Sequence, residues 1–227
     1  LSDSGWKSVR KILDYGCGHG YYLSLLGGLL PQASLVGFDV DDAFIDTARA
    51  TFGNVASFTS KMDDAELQTL GADALVLRLI LHHNPDPAGL LSTLVSNLKQ
   101  LQYVYIVNPC DTHFHLVPEL KHFLADLAEL RQPGRKRRDI HDEMAATLRA
   151  HAFTEVERLE IVVRAATSTD KSQMFAYMIA TACYGGRTTP RSETAAELVR
   201  WLLDPNASAQ YGLIASVFSR RARPADE

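Results

Sequence analysis

The chain has 227 residues, of which 46% are hydrophobic, and a formal net charge of −4. A chain of this size can bury a sizeable core, and its slightly acidic balance argues against a general nucleic-acid-binding surface. Cys17, Cys110 and Cys183 are odd in number and far apart, which favours a reduced cytoplasm over a disulfide framework. No apolar run approaches the roughly 20 residues that cross a bilayer, and no signal segment opens the chain. We therefore expect a cytoplasmic protein with neither a membrane nor a nucleic-acid partner.

Short apolar runs of β type alternate along the chain with longer stretches of helical period, which predicts a parallel sheet with helices on both faces. Seven strands are predicted: Lys11–Asp14, Ser34–Asp39, Ser57–Ser60, Ala74–Arg78, Tyr103–Asn108, Glu157–Arg164 and Leu213–Ser219. Helices are predicted between them, notably at Asp41–Ala50, Pro87–Lys99, His115–Leu130, Arg138–His151 and Thr194–Leu203. We expect a single domain over residues 1–227, with 165–210 as a helical insertion. Because the chain begins with Leu1 rather than methionine, we also expect an upstream segment, which could cover an active site.

The stretch KILDYGCGHGYYLSLL places a glycine loop between the first strand and a helix, an arrangement that aims backbone N–H groups at a ligand. Its spacing, Gly16-Cys17-Gly18-His19-Gly20, departs from the G-x-G-x-x-G pattern of dinucleotide-binding loops. Asp14, two residues before the loop, would repel a pyrophosphate but attract a cationic amino group. Asp39, nineteen residues past Gly20, can accept both hydroxyls of a ribose, and Val40 beside it can pack on an adenine face.

Three segments in order, ILDYGCGHG, VGFDVDD and ADALVLRLILHHNPDP, resemble the successive motifs of class I S-adenosylmethionine-dependent methyltransferases. The resemblance extends from roughly Lys11 to Ser219 and implies a Rossmann-like, mostly parallel sheet whose last strand, in YGLIASVFSRR, is antiparallel. It also implies S-adenosyl-L-methionine as the cofactor, and it assigns cofactor contacts to a set of residues. The glycine loop and the acid before it would line the methionine end of the cofactor. Asp39 and Val40 would contact the nucleoside, and Asp63 or its neighbour Asp64 would contact the adenine amino group. The expected cofactor-binding residues are therefore Asp14, Gly16, Cys17, Gly18, Gly20, Asp39, Val40 and Asp63.

Arg78 departs from the small or polar residue that this family commonly has at the end of the fourth strand. An arginine there needs an anionic partner or several carbonyl groups. We consider two interpretations: a clamp on a carboxylate of the cofactor or of an acidic substrate, and a salt bridge to a nearby acid such as Asp73.

Three polar residues are candidates for catalysis. His82 and His83 follow the fourth strand, where a histidine can act as general base toward an acceptor N–H or O–H. The alternative is that one of them only makes hydrogen bonds within the loop. Asn108 ends the fifth strand, at the same edge of the sheet, and is expected to border the substrate pocket.

Other polar clusters receive structural interpretations. The spacing of Cys110, His113 and His115 permits a metal site, but no second pair of ligands is evident, so we expect no metal. A basic cluster could bind a phosphate, a carrier protein or RNA, but a solvated loop is the favoured interpretation, because no aromatic residues interleave with its charges: Arg131, Arg135, Lys136, Arg137 and Arg138. Side chains of the 165–210 insertion are candidates for an acceptor pocket, although packing is the default interpretation: Met174, Phe175, Tyr177 and Met178.

These observations favour an S-adenosylmethionine-dependent methyltransferase acting on the oxygen or nitrogen of a small metabolite or natural-product intermediate. The alternative is a cyclase or lyase that consumes S-adenosylmethionine, releases methylthioadenosine and closes azetidine-2-carboxylate. A non-catalytic protein that only binds S-adenosylmethionine stays open as a third hypothesis. The glycine spacing disfavours a nicotinamide-dependent oxidoreductase.

Overall fold

The computed structural model describes residues 8–130, 140–183 and 189–220. Its strands are β1 Lys11–Tyr15, β2 Ser34–Phe38, β3 Ser57–Thr59, β4 Ala74–Arg78, β5 Tyr103–Val117, β6 Phe153–Ala165 and β7 Ser208–Arg220. Its helices are α1 Tyr21–Leu29, α2 Asp42–Phe52, α3 Asp64–Leu70, α4 Pro87–Asn97, α5 Lys121–Leu130, α6 His141–Ala150, α7 Ser168–Ala182 and α8 Ser192–Leu203. None of the helices in these ranges is both long and apolar enough to cross a membrane.

The strands form one seven-stranded sheet in the order β3-β2-β1-β4-β5-β7-β6. The pairs from β3 to β5 are parallel. β7 runs antiparallel to β5, because the N–H of Arg220 at its end bonds to the carbonyl of Gln102 just before β5 begins, at 2.8 Å. The chain order reverses between β1 and β4, and ligands of open α/β sheets bind at the carboxyl ends of strands at such a point.

Alternate residues of the central strands point to opposite faces of the sheet, and helices cover both faces. On one face, Leu13, Leu75 and Leu77 pack in a core with apolar residues of α3, α4 and α6. On the other, Ile12 and Val76 pack with α1 and α2. The Rossmann-like fold class predicted from the sequence is therefore confirmed, including the antiparallel last strand.

The chain divides into two compact units. Unit 1 contains β1 to β4, the start of β5 and the glycine loop: residues 1–108, 140–159 and 214–227. Unit 2 contains α5, α7 and α8 around a core that includes Phe123 and Trp201: residues 109–139 and 160–213.

The predicted bounds of β1 to β4 are confirmed to within one residue, whereas β6 and β7 begin four and five residues before their predicted starts. β5 continues to Val117 instead of ending at Asn108. The predicted elements left residues 109–114 as a connection between this strand and a helix, and the helix expected from His115 begins only at Lys121. A neighbouring strand explains the difference, because the Cα of Gly212 in β7 faces His113 so closely that an added Cβ would lie 2.5 Å from the His113 Cβ. Pairing with β7 supplies backbone hydrogen bonds that the local turn signals of Asn and Pro did not predict.

Candidate active site

The glycine loop connects β1 to α1, and each of its three glycines has a positive φ: 86° at Gly16, 54° at Gly18 and 78° at Gly20. Two of them also make room for neighbouring side chains. A Cβ on Gly16 would lie 2.8 Å from Ile80, and one on Gly20 would lie 2.7 Å from the Phe58 ring. A Cβ on Gly18 would meet nothing within 4 Å. The loop therefore packs tightly at its two ends and is open at Gly18, where a ligand can approach the backbone.

Asp39 holds this loop in place. Its carboxylate accepts hydrogen bonds from the N–H of Gly18 at 2.9 Å and of Asp41 at 3.1 Å. Asp41 caps α2 by accepting from the N–H groups of Ala43 and Phe44, as expected of a helix N-cap. Asp39 therefore anchors the loop, and each of its oxygens retains lone pairs for a further donor, so its contact with a ribose stays a prediction.

Asp14 is the least solvated carboxylate of the site, with 1% of its surface exposed. Within the described residues neither of its oxygens has a hydrogen-bond partner. Burial raises its pKa to about 7, against a lowering effect of Arg78 and with a small further increase from Asp39. A buried carboxylate without a partner is costly, so this one fits a cationic group such as the ammonium of S-adenosylmethionine.

Arg78 does not form the salt bridge to Asp73 that was one of its two interpretations. Both oxygens of Asp73 instead accept backbone N–H groups, from Arg10 at 2.8 Å and from Lys11 at 2.9 Å. The guanidinium carbon of Arg78 lies 5.1 Å from the centre of the Tyr22 ring. The clamp interpretation is therefore the one that the geometry leaves open.

Cys17 lies inside the glycine loop and is 3% exposed. Its thiol contacts the Gly18 carbonyl at 3.6 Å. Burial raises its pKa to about 12, and the nearby carboxylates of Asp14 and Asp39 add to the increase. The side chain is thus a neutral packing group under the loop.

The residues predicted for the nucleoside are more exposed. Val40 is 81% exposed, so its side chain offers an uncovered apolar surface. Asp63 is the N-cap of α3 and forms a capping box with Glu66, each side chain accepting the other residue's N–H at 2.8 Å. The contact of Asp63 or Asp64 with adenine stays a prediction.

His82 and His83 form the last two residues of a 3-10 turn, Leu81–His83, directly after β4. Their rings are in contact, with centroids 3.9 Å apart and an angle of 41° between the ring planes. The backbone is unusual just before the turn, because Leu79 has a φ of 58°, a value that costs energy in a residue with a side chain.

Asn108 lies on β5 with only 1% of its surface exposed. Neither its amide oxygen nor its amide nitrogen has a hydrogen-bond partner among the described residues. Such a side chain is unsatisfied until a ligand or water supplies partners, which is what a residue that orients an acceptor needs.

The possible metal ligands of β5 are not brought together. Cys110 is buried, and the strand alternation directs His113 and His115 to the opposite face. His113 is paired with Glu160 at 3.2 Å. In the described ranges no three His, Cys, Asp or Glu side chains are grouped for a metal ion. The basic cluster from Arg131 to Arg138 lies outside the described residues.

The side chains proposed for an acceptor pocket belong mostly to the core of unit 2. Met174 and Met178 are buried with Trp201, and the ring of Tyr177 lies 5.2 Å from that of Tyr211. Unit 2 also has a cavity of about 370 Å³. It is lined by residues at the end of β5 and in the segment that follows: Phe114, His115, Leu116, Glu119 and Leu124.

From the sequence, Tyr22 was one of three tyrosines beside the glycine loop that could hold a cation, with apolar packing as the default interpretation, and Tyr105 received no role. Their rings are nearly parallel, at 12°, with centroids 6.5 Å apart. The only signal was the aromatic pair that opens the helix after the glycine loop, which does not indicate what its second ring contacts.

Residues 4–159, more than half of the chain, match a protein family described as a methyltransferase domain. A candidate methyltransferase from Bacillus halodurans C-125 superposes with a TM-score of 0.56 at 14% identity, over 95% of this chain and 94% of the other. The 4+2 cyclase SpnF gives 0.58 at 13% identity, over 95% and 76%. A protein of echinomycin biosynthesis, where a disulfide bond becomes a thioacetal, gives 0.54 at 16% identity, over 93% and 76%. The structural likenesses establish the fold, and the family match establishes membership: this chain belongs to the methyltransferase-domain family, with the class I S-adenosylmethionine-dependent fold.

Proposed function

We propose that this protein transfers a methyl group from S-adenosylmethionine to an oxygen or nitrogen of a small metabolite or natural-product intermediate. The observation that carries the proposal is the environment of the Asp14 carboxylate. Its buried carboxylate has no partner within the described residues and lies two residues before a loop that is open at Gly18. A cationic amine on a nucleoside ligand would supply the missing partner.

The residues of unit 1 are suited to hold and orient that cofactor. Asp14 would bind the ammonium group and Arg78 a carboxylate, while Asp39 would add a ribose hydroxyl to the N–H donors it already accepts. The absence of a side chain at Gly18 would let the ligand lie against the loop. When bound, S-adenosylmethionine supplies a methyl group on a positively charged sulfur, so alignment of the acceptor can provide much of the rate acceleration.

On the acceptor side, we assign His82 or His83 as the general base that would take a proton from an acceptor O–H or N–H. Asn108 would orient the acceptor through its unsatisfied amide. An acceptor that is already a good nucleophile would need no general base, and only the orientation by Asn108 would be required.

A natural-product intermediate is supported as acceptor by two proteins of similar fold. One of them is the 4+2 cyclase SpnF, and the other belongs to echinomycin biosynthesis. At 13% and 16% identity they support a class of acceptor and no particular molecule.

Asp14 also supports a second candidate, ring closure of S-adenosylmethionine itself. A carboxyl with a pKa of about 7 can accept a proton from the neighbouring ammonium. The freed amine would then attack the γ-carbon as the carbon–sulfur bond breaks, giving azetidine-2-carboxylate and methylthioadenosine. SpnF shows that a protein of this fold can be a cyclase, although of another kind.

The test is to incubate the purified protein with S-adenosylmethionine, alone and with an extract of small metabolites, and to identify the released nucleoside by mass spectrometry. S-adenosylhomocysteine that forms only with extract is the expected result, and the metabolite heavier by one methylene names the acceptor. Methylthioadenosine formed from S-adenosylmethionine alone would contradict methyl transfer and would indicate ring closure or cleavage of S-adenosylmethionine. Tight binding without either product would favour a non-catalytic binding protein.

A further inference from the structure

Arg78 is part of a stack of side chains on the α1 side of the sheet in unit 1. Its guanidinium lies over the Tyr22 ring, with 5.1 Å from the guanidinium carbon to the ring centre. The Tyr22 ring is nearly parallel to that of Tyr105, with 6.5 Å between the ring centroids. We call Tyr22 and Tyr105 the tyrosine platform. Burial raises the pKa of both phenols, so both rings are neutral and can attract a cation.

The sheet register explains why these side chains meet Asp14. Asp14 pairs with Val76, and Val76 pairs with Tyr105, so the three lie in one row across neighbouring strands. Arg78 is two residues beyond Val76 and therefore on the same face. The carboxylate, the guanidinium and the platform thus share one face at the carboxyl end of the parallel strands.

Asp14 and Arg78 have opposite charges and influence each other electrostatically, but they do not form an ion pair in contact. Neither oxygen of Asp14 is hydrogen-bonded within the described residues, and the buried Nε of Arg78 has no hydrogen-bond partner there either. Two such charges on one face would ordinarily form a salt bridge. The cation–π contact holds the guanidinium over Tyr22 instead, and it leaves one positive and one negative group available to a ligand.

We propose that Tyr22 is a positioning residue that holds Arg78 ready for the carboxylate of an α-amino-acid zwitterion, whose ammonium binds Asp14. The inference rests on the proposed function, because the zwitterion is the amino-acid end of S-adenosylmethionine. It adds that this site selects ligands by their carboxylate and that Tyr22 sets the selectivity through Arg78.

The experiment compares two ligands that differ only in that carboxylate: S-adenosylhomocysteine and its decarboxylated analogue, S-adenosyl-3-thiopropylamine. Calorimetry gives the dissociation constant of each for the wild type and for Tyr22→Leu, Tyr22→Phe and Arg78→Met. We expect the wild type to prefer S-adenosylhomocysteine by at least about 30-fold, because a charge-assisted pair is lost with the carboxylate. Arg78→Met and Tyr22→Leu should reduce the preference to about threefold or less, and Tyr22→Phe, which keeps the ring, should preserve it.

Tyr21→Leu is the matched control, since Tyr21 precedes Tyr22 on α1 but is 65% exposed. It should leave the preference unchanged, and circular dichroism checks that every variant is folded. If Tyr22 has a purely structural role, Tyr22→Leu weakens the binding of both ligands equally. A preference for S-adenosylhomocysteine that is preserved in Tyr22→Leu therefore overturns the inference. A wild type that binds both ligands equally overturns it too while leaving the proposed function intact. Failure to bind either ligand would contradict the proposed function itself.

Discussion

At the scale of single residues, the buried carboxyl of Asp14 connects ligand binding to pH. With a pKa raised to about 7 by burial, it is mostly protonated at pH 6 and mostly ionised at pH 8. Only the ionised form attracts an ammonium group strongly, so the empty site must lose a proton before or during binding.

We therefore expect S-adenosylhomocysteine to bind roughly fivefold to tenfold more tightly at pH 7.5 than at pH 6, with release of a proton. Calorimetry in two buffers of different ionisation enthalpy measures both quantities. Asp14→Asn should bind more weakly at both pH values and should lose the pH dependence. If the affinity of the wild type does not change over this range, Asp14 is not the group that meets the ammonium.

At the scale of elements, the three glycines of the loop divide into two kinds. Gly16 and Gly20 are required by their neighbours, Ile80 and Phe58, whereas Gly18 has open space where its side chain would be. Substitution at Gly20 should therefore affect the fold, and substitution at Gly18 should affect the ligand.

We expect Gly18→Ala to cost about 1 kcal/mol of stability, from the positive φ alone, and to weaken S-adenosylhomocysteine binding by at least about tenfold. Gly20→Ala has the same backbone cost and should lose roughly 2 kcal/mol more, because the new Cβ contacts the Phe58 ring at 2.7 Å. Urea unfolding and calorimetry on both variants separate the two effects. Normal affinity in Gly18→Ala would mean that the ligand does not lie against the loop there.

The elements also show where prediction from sequence succeeded and where it failed. β1, β2 and β4 are continuous apolar runs of a buried parallel sheet, a signal that is local and strong. β5 was predicted to end at Asn108, because its second half is polar and begins with Asn-Pro. Pairing with β7, about a hundred residues later in the chain, extends it, and such pairing is not encoded in the strand's own residues.

The site was predictable to a similar degree. The glycine loop and Asp14 follow from the spacing of residues around the end of the first strand, a signal that acts over a few residues. The platform under Arg78 could not be predicted, because Tyr22 and Tyr105 are 83 positions apart in the sequence and meet only where α1 packs on the sheet. The same applies to Asp73, whose two backbone donors lie at the start of another strand.

At the scale of the whole molecule, Asp14 should make the stability of the ligand-free protein depend on pH. Its pKa rises from 3.8 to about 7 on folding. The stabilising contribution of this carboxyl to the free energy of unfolding is therefore present in full below pH 3.8 and is lost as pH rises through 7. Asp14→Asn has no such dependence at this position. Relative to the wild type, we expect the variant's free energy of unfolding to increase by roughly 3 kcal/mol between pH 5 and pH 8.

Urea unfolding of both proteins at the two pH values measures this difference, without any ligand. If Asp14→Asn is more stable than the wild type at pH 8 but binds S-adenosylhomocysteine more weakly, Asp14 serves ligand binding and destabilises the fold. A constant difference between the two proteins would mean that Asp14 is solvated or paired in solution.

The buried thiol of Cys17 has a consequence for the chemical safety of the site. In the proposed function, the glycine loop binds a cofactor whose methyl group, on a positively charged sulfur, is a strong electrophile. A thiolate there would be the best nucleophile within reach and could itself be methylated. Because burial and two nearby carboxylates raise the pKa of Cys17 to about 12, the sulfur stays protonated at neutral pH and is a poor nucleophile toward the methyl group of the proposed cofactor.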